Sequence, residues 1–455
     1  MIIETLNPST GERIERYPEM SLAEVQDVLR NADRAFRAWQ RTTMAERAAP
    51  MRQAAVILRR RESDLAALMA AEMGKPLAQG RAEVQKCAWV CEYYAEHAEA
   101  FLADEPVATD ATNSFVAFRP LGVVLAVMPW NFPLWQVFRF AAPGLMAGNA
   151  GVLKHASNVM GCALAIESVF GDAGFPRDVF RTLVIGSGRV RDVIEAREVR
   201  AVTLTGSGAA GRAVAAAAGA VLKKAVLELG GSDPYVVLED ADLGETVATC
   251  VSSRLINSGQ SCIAAKRFIV VDAVWDDFVR RFVDVMAAKR MGDPFDEGVD
   301  LGPQARRDLR DELHGQVSAS VAQGASILLG GDVPGGPGAF YPPTVLVGVR
   351  PGTPAYDEEL FGPVAAVIRA ADEADALRIA NDSPFGLGAA VFTGDAARGE
   401  RIAREMFEAG ACFVNASVKS DPRLPFGGIK ESGYGRELSS FGIREFVNIK
   451  SVYVR

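Results

Sequence analysis

From Leu121 onward the chain repeats one short pattern: an apolar run of strand length, then a stretch with helical periodicity. LGVVLAVM (121–128), AGVLKH (150–155), FRTLVI (180–185), AVTLTG (201–206) and KAVLELG (224–230) are the runs, and residues 134–147, 159–173 and 209–219 are helix-like stretches among them. Strands apolar on both faces need cover on both sides, and parallel neighbours need crossovers, so the pattern predicts a parallel sheet between layers of helices. A second series has strands near 235–238, 267–271, 364–369, 387–392 and 410–414, and helices near 275–290, 304–322, 372–381 and 396–408. It predicts a second α/β domain.

Upstream, residues 21–102 are mostly helical in pattern. Ser21-x-x-Glu24 is a capping box, and Leu22, Val25, Val28, Leu29, Ala32, Phe36 and Trp39 form the stripe that should face a core. The segment 107–119 and the tail FVNIKSVYV have β content but no helix partner, which predicts an antiparallel ribbon pairing outside its own domain. Oligomerisation would shield its edges. At 455 residues, the chain has room for about two to three units of ~150 residues.

Charge and hydropathy exclude several partners. A net charge of −8 opposes a nucleic-acid surface, which needs clustered Lys and Arg to neutralise phosphates. No apolar run reaches the ~18 residues of a membrane span, and the N-terminal MIIETLNPSTGERIERYP has no apolar core of a signal peptide. The six cysteines are scattered without CxxC spacing, so a reducing, cytoplasmic location is expected and a disulfide framework is not. Cys87 and Cys91, four apart on a helical stretch with His97 beyond, match no metal pattern and read as buried helix cysteines.

Two motifs invite chemistry. NSGQSC (257–262) places Cys262 behind small and polar residues that leave a sulfur approachable, as nucleophile or as packing residue. GSGAAG (206–211), after a strand and before an alanine-rich helix, is a literal G-x-G-x-x-G. Read literally, it puts Gly206, Gly208 and Gly211 on a pyrophosphate and Glu228 on a ribose. The continuation ELGGSDP offers a different reading, in which Glu228 ends an apolar strand at a domain junction and, partly desolvated, acts as a general base.

Together with PWNFP (129–133), Lys154 in VLKHAS, EELFGPV (358–364), GQSCIAAKR (259–267) and PFGGIKESGYGRE (425–437), these segments resemble the NAD(P)-dependent aldehyde dehydrogenase superfamily across essentially the whole chain. Within it, GQSCIAAKR, LKHASN and VKSDPRLPFGG look like the succinate-semialdehyde dehydrogenases. The resemblance implies a Rossmann-like cofactor domain (1–106 and 125–229), an α/β catalytic domain (230–425) and a small β oligomerisation arm (107–124 and 426–455). Homodimers or dimers of dimers are implied with it. The implied activity is oxidation of succinate semialdehyde to succinate. Another semialdehyde or an aliphatic aldehyde is the alternative substrate, and a non-redox thiol esterase or acyltransferase the alternative class.

The resemblance also implies roles. Cys262 would add to the aldehyde, with the Asn131 amide and the Cys262 backbone N–H as oxyanion donors and Glu228 as the base for thioester hydrolysis. A positive local potential is expected to favour the thiolate. For Asn131 the competing role is capping a helix that starts at Pro133. Glu359 and Phe361 would hold the nicotinamide ribose and ring, or else are a turn glutamate and a core phenylalanine. Pro129, Trp130, Gly206, Ser207 and Leu229 complete the expected cofactor contacts.

Lys154 matches a ribose-binding lysine, and Ser157 stands where many NAD-preferring relatives carry glutamate. Hydroxyl and ammonium accept a 2′-phosphate that a carboxylate would repel, so NADP is favoured over NAD. Ser157 could instead cap the helix beginning near Val159. Trp135 and Arg139 share a helical face and, with Ser261 and Ser420, form the expected substrate set. Arg139 would clamp a distal carboxylate, or else form a structural ion pair. Gly208 departs from the bulkier or acidic residue of many relatives, and Ile263 and Ala264 replace the neighbouring cysteine of some.

Overall fold

The computed structural model describes residues 2–455. The N-terminal hairpin (Ile2–Leu6 with Arg13–Pro18) leads into four helices, Leu22–Trp39, Met44–Arg60, Glu62–Met73 and Leu77–Phe101. The first carries the expected capping box: Glu24 N–H donates to Ser21 Oγ (3.2 Å) and Ser21 N–H to Glu24 Oε2 (2.6 Å). Its stripe is buried from Val25 to Trp39. Leu22 departs from the expected stripe; as the first helical residue it precedes the turn that reaches the core, and it is exposed.

Five parallel strands follow: Val123–Met128, Ala150–His155, Phe180–Thr182, Val199–Thr205 and Lys224–Glu228. The chain builds outward from Val123–Met128 to Phe180–Thr182, then returns to add Val199–Thr205 on the other side. That reversal is where dinucleotides bind in open α/β sheets, outside the carboxyl ends of the strands. The register aligns those ends: Met128 lies opposite His155, and Thr205 opposite Glu228. Residues 129, 156, 206 and 229 therefore leave the sheet along one edge.

The second sheet has seven strands in the order 326–329, 344–347, 364–370, 267–271, 234–237, 388–392 and 411–414, antiparallel only at its first pair. Apolar layers bury both faces of each sheet. The strands Ser326–Leu329 and Thr344–Val347 have no counterpart in the sequence reading. Each is four residues long, and Ser326–Leu329 is a largely exposed edge without alternation.

In the ribbon, Val447–Val454 pairs antiparallel, residue for residue, with Asn113–Pro120, and Glu105–Pro106 adds a third strand. Its limits differ from 107–124 and 426–455. Val123 and Val124 belong to the parallel sheet. Residues 429–430 pair with 385–386, and 433–434 with 227–228, so the stretch before the helix Ser439–Glu445 stitches the two α/β units together. No helix among the described residues is long and apolar enough to cross a membrane.

Candidate active site

The helix Leu243–Leu255 ends in a turn that local sequence preference disfavours. Asn257, Ser258 and Gly259 have φ of 54°, 56° and 78°, three left-handed residues in succession. Two are not glycine, and such conformations cost roughly 1–3 kcal/mol each unless the surroundings hold them. Here they do. Asn257 Nδ2 donates to Asn131 O (2.7 Å) and Gln260 O (3.0 Å), Ser258 Oγ accepts the Gly302 N–H (3.0 Å), and Arg254 Nη2 donates to Gly259 O (2.6 Å). At Gly259 a Cβ would lie 2.2 Å from the carbonyl carbon of Gly362, so no side chain fits.

This turn delivers Cys262 to the boundary of two cavities. One, of ≈ 320 Å³, opens at the carboxyl edge of the parallel sheet and is lined by Pro129, Trp130, Asn131, Gly206, Ser207 and Leu229 on one side, and by Glu359, Phe361 and Cys262 on the other. Trp130 and Phe361 meet edge to face at 5.7 Å. Glu312 and Gln316, on the helix Arg307–Ala322, add a wall that the sequence reading did not contain, because no local motif marks them. The other cavity, of ≈ 540 Å³, also reaches Cys262 and is lined by Trp135, Arg139, Ser261 and Ser420.

Lys154 and Ser157 line neither cavity. They sit at the end of the neighbouring strand on the same sheet edge, with Lys154 largely buried and Ser157 exposed. Burial pushes the Lys154 amine below its ordinary value, and no carboxylate pairs with it among the described residues. Ser157 makes no capping hydrogen bond, and neither does Asn131, so the two capping alternatives have no counterpart. The literal G-x-G-x-x-G reading fails at two points. Gly211 packs on Leu229, where a Cβ would meet Cδ2 at 2.6 Å, and Glu228 is turned away from the cofactor-side cavity.

Asn131 Nδ2 donates to Gln260 O (3.2 Å) and keeps a second N–H, while its Oδ1 is buried without a partner. Lys266, unassigned in the sequence reading, donates to Ser261 O (2.8 Å) and Cys262 O (2.6 Å) and pairs with Glu359 Oε1 at 3.1 Å. It ties the Cys262 loop to Glu359 on the same side of the cavity. Glu359 also accepts the Gly231 N–H (3.1 Å).

The expected positive potential does not prevail at Cys262. Burial pushes its thiol up to about 12, outweighing the opposing pull of Lys266 and Arg139, with Glu359 and Asp233 raising it further. The resting group is a thiol, and a proton acceptor is needed to use it.

Glu228 is buried with both carboxylate oxygens unpartnered, and one of them packs against Gly427. Burial raises it well above the usual carboxylate range; Arg139 opposes the shift and Glu437 adds to it. Arg139 itself forms a buried ion pair with Glu437, donates to Thr205 Oγ1 (3.2 Å) and lies over the Phe426 ring. Its guanidinium reaches the substrate-side cavity while paired with Glu437. The structural ion pair is the arrangement observed.

A cysteine shared by two cavities, one of them at the carboxyl edge of a parallel sheet, is an arrangement suited to covalent capture of a substrate beside a second bound molecule. The sequence pattern of the aldehyde dehydrogenase family matches residues 1–452. The chain belongs to that family. It is 50% identical, over the full length of both chains, to the probable succinate-semialdehyde dehydrogenase [NADP(+)] of Synechocystis sp.. It is 49% identical to the succinate semialdehyde dehydrogenase [NAD(P)+] Sad of Escherichia coli, covering 99% of this chain and 97% of that one. The crystal structure of succinic semialdehyde dehydrogenase from Streptococcus pyogenes in complex with NADP+ superposes with a TM-score of 0.97 at 37% identity, covering 99% of each chain.

Proposed function

We propose that this protein oxidises succinate semialdehyde to succinate with NADP, or less favourably NAD, as acceptor. The position of Cys262 on the border of both cavities carries the reading, and the names of the relatives at about half identity support it. Cys262 gives its proton to solvent water and, as the thiolate, adds to the aldehyde carbon. The second Asn131 N–H and the Cys262 amide N–H stabilise the oxyanion in a site shielded from water. The residues lining the first cavity would hold NADP, whose nicotinamide would supply a hydride acceptor and leave a thioester on Cys262. Water then adds to the thioester and gives its proton to ionised Glu228, releasing succinate and the thiol. Leu229 and Gly230, the next residues after Glu228, line the cavity.

The cofactor-side residues suit the group. Glu359, held by Lys266 and the Gly231 amide, presents a fixed acceptor for ribose hydroxyls, and Trp130 and Phe361 present apolar faces to a ring. The unpaired, desolvated Lys154, with Ser157 rather than a carboxylate three residues on, suits a 2′-phosphate. A thiol esterase would leave the cofactor-side cavity without a task. It would also need a base, yet no histidine lines either cavity; burial pushes the His155 ring down to about 4. The proposal includes a cytoplasmic location, consistent with six free cysteines, and assembly through the ribbon into homodimers or dimers of dimers.

The test is the initial rate of reduced-nicotinamide formation with NADP and NAD, on succinate semialdehyde, glutarate semialdehyde and neutral aldehydes of equal length. The expected order puts succinate semialdehyde with NADP first. No reduction with any aldehyde would refute the dehydrogenase reading, and an NAD rate well above the NADP rate would refute the role of Ser157.

A further inference from the structure

The substrate-side cavity contains a cation that the reading above leaves unused. Lys86, on the helix Leu77–Phe101, lines it together with Ser420 and Trp135. Its Nζ donates to Ser420 Oγ (2.8 Å) and lies 4.2 Å from the centre of the Trp135 ring, and Trp135 Nε1 donates to the same Oγ (3.1 Å). A hydroxyl has two acceptor positions and one donor. With both acceptors taken, the Ser420 O–H is left to donate outward. Lys86 retains two further N–H groups. The cluster thus offers donors and positive charge to the cavity and no acceptor.

The other charged groups of the cavity are mostly spoken for. Arg139 pairs with Glu437 and Lys289 with Asp300 (3.2 Å), while Glu83 pairs with Lys75 and accepts the N–H groups of Leu134 and Trp135 (both 2.9 Å). Lys86 has no carboxylate partner among the described residues; Lys419, exposed at the rim, is the other unpaired lysine. Holding an ammonium out of water without a counterion is unfavourable. Burial, with Arg139 adding to it, lowers the Lys86 amine to about 8, and an anion placed beside it would reverse that shift.

We propose that Lys86, beside the Ser420 of the expected substrate set, binds the distal carboxylate of the aldehyde and sets its specificity. The inference rests on the dehydrogenase reading of the site.

Lys86→Met and Lys86→Arg are compared with the unaltered enzyme on succinate semialdehyde and on butanal, its neutral counterpart of equal length, with NADP. Loss of one charge-assisted contact corresponds to roughly a 10- to 100-fold drop in kcat/KM. That drop is expected for Lys86→Met on succinate semialdehyde, mainly through KM, with butanal unchanged within about twofold and Lys86→Arg intermediate. The butanal rate also reports that the variant is folded. A preference for the charged aldehyde that survives Lys86→Met, or an equal loss on both aldehydes, would overturn the role of Lys86. An unaltered enzyme with no preference for the charged aldehyde would instead overturn the substrate reading itself.

Discussion

Cys262 and Glu228 are both shifted towards their protonated forms, and for one reason: each sits where water is excluded and no cation is close enough to offset the loss of hydration. For Cys262, a value of about 12 makes the thiolate the minor form across the neutral range, and its fraction grows tenfold per pH unit. Iodoacetamide labelling of the Cys262 peptide, followed by mass spectrometry, is expected to rise about tenfold per unit from pH 7 to 10; a plateau below pH 9 would contradict the burial argument. Glu228 keeps its proton when folded at pH values where the unfolded chain has released it. Its contribution to stability is therefore full at low pH and declines as pH rises from the ordinary carboxylate value of 4.5 towards the raised native one. Glu228→Gln removes that dependence, so its Tm relative to the unaltered protein should be higher at pH 8 than at pH 4. The same variant should lose about 10²- to 10⁴-fold in steady-state turnover while retaining a first-turnover burst of reduced cofactor, because thioester formation does not need that carboxylate.

At the scale of elements, the turn after Leu243–Leu255 separates what was legible in NSGQSC from what was not. The hexapeptide marks an approachable sulfur. It does not announce that Asn257 and Ser258 adopt left-handed conformations, which the distant Asn131 and Gly302 hold in place together with neighbouring Gln260. Gly259→Ala forces a Cβ into the Gly362 backbone at positive φ, and a loss of about 2–5 kcal/mol is expected from strain plus overpacking. Urea unfolding would measure it; a change under about 1 kcal/mol would mean that the turn yields more readily than its contacts indicate. The strands flanking the site were legible because each is a continuous apolar run ending at the same edge. Glu312 and Gln316 were not, because their helix faces the cavity through a tertiary contact that leaves no periodic trace.

Over the whole molecule, the ribbon leaves Val447–Val454 as an open sheet edge, with Ile449, Tyr453 and Val454 exposed. An unprotected apolar edge favours pairing with another copy. Ile449→Glu combined with Tyr453→Glu should shift sedimentation towards monomer, and an unchanged sedimentation coefficient would place the interface elsewhere. By itself, the sequence pattern marked the alternating strands and helices of two α/β series, the β content of the ribbon and the approachable sulfur of Cys262, since periodicity and short motifs are local properties, while Asn131 and Glu359 came only from the family resemblance. Tertiary structure alone decided what those residues meet. It put Cys262 between two cavities, withdrew Glu228 into a buried acid cluster, committed Arg139 to Glu437 and brought Lys86 to Ser420 from 334 positions away. Charge pairing and desolvation depend on neighbours in space, and a linear pattern does not record them.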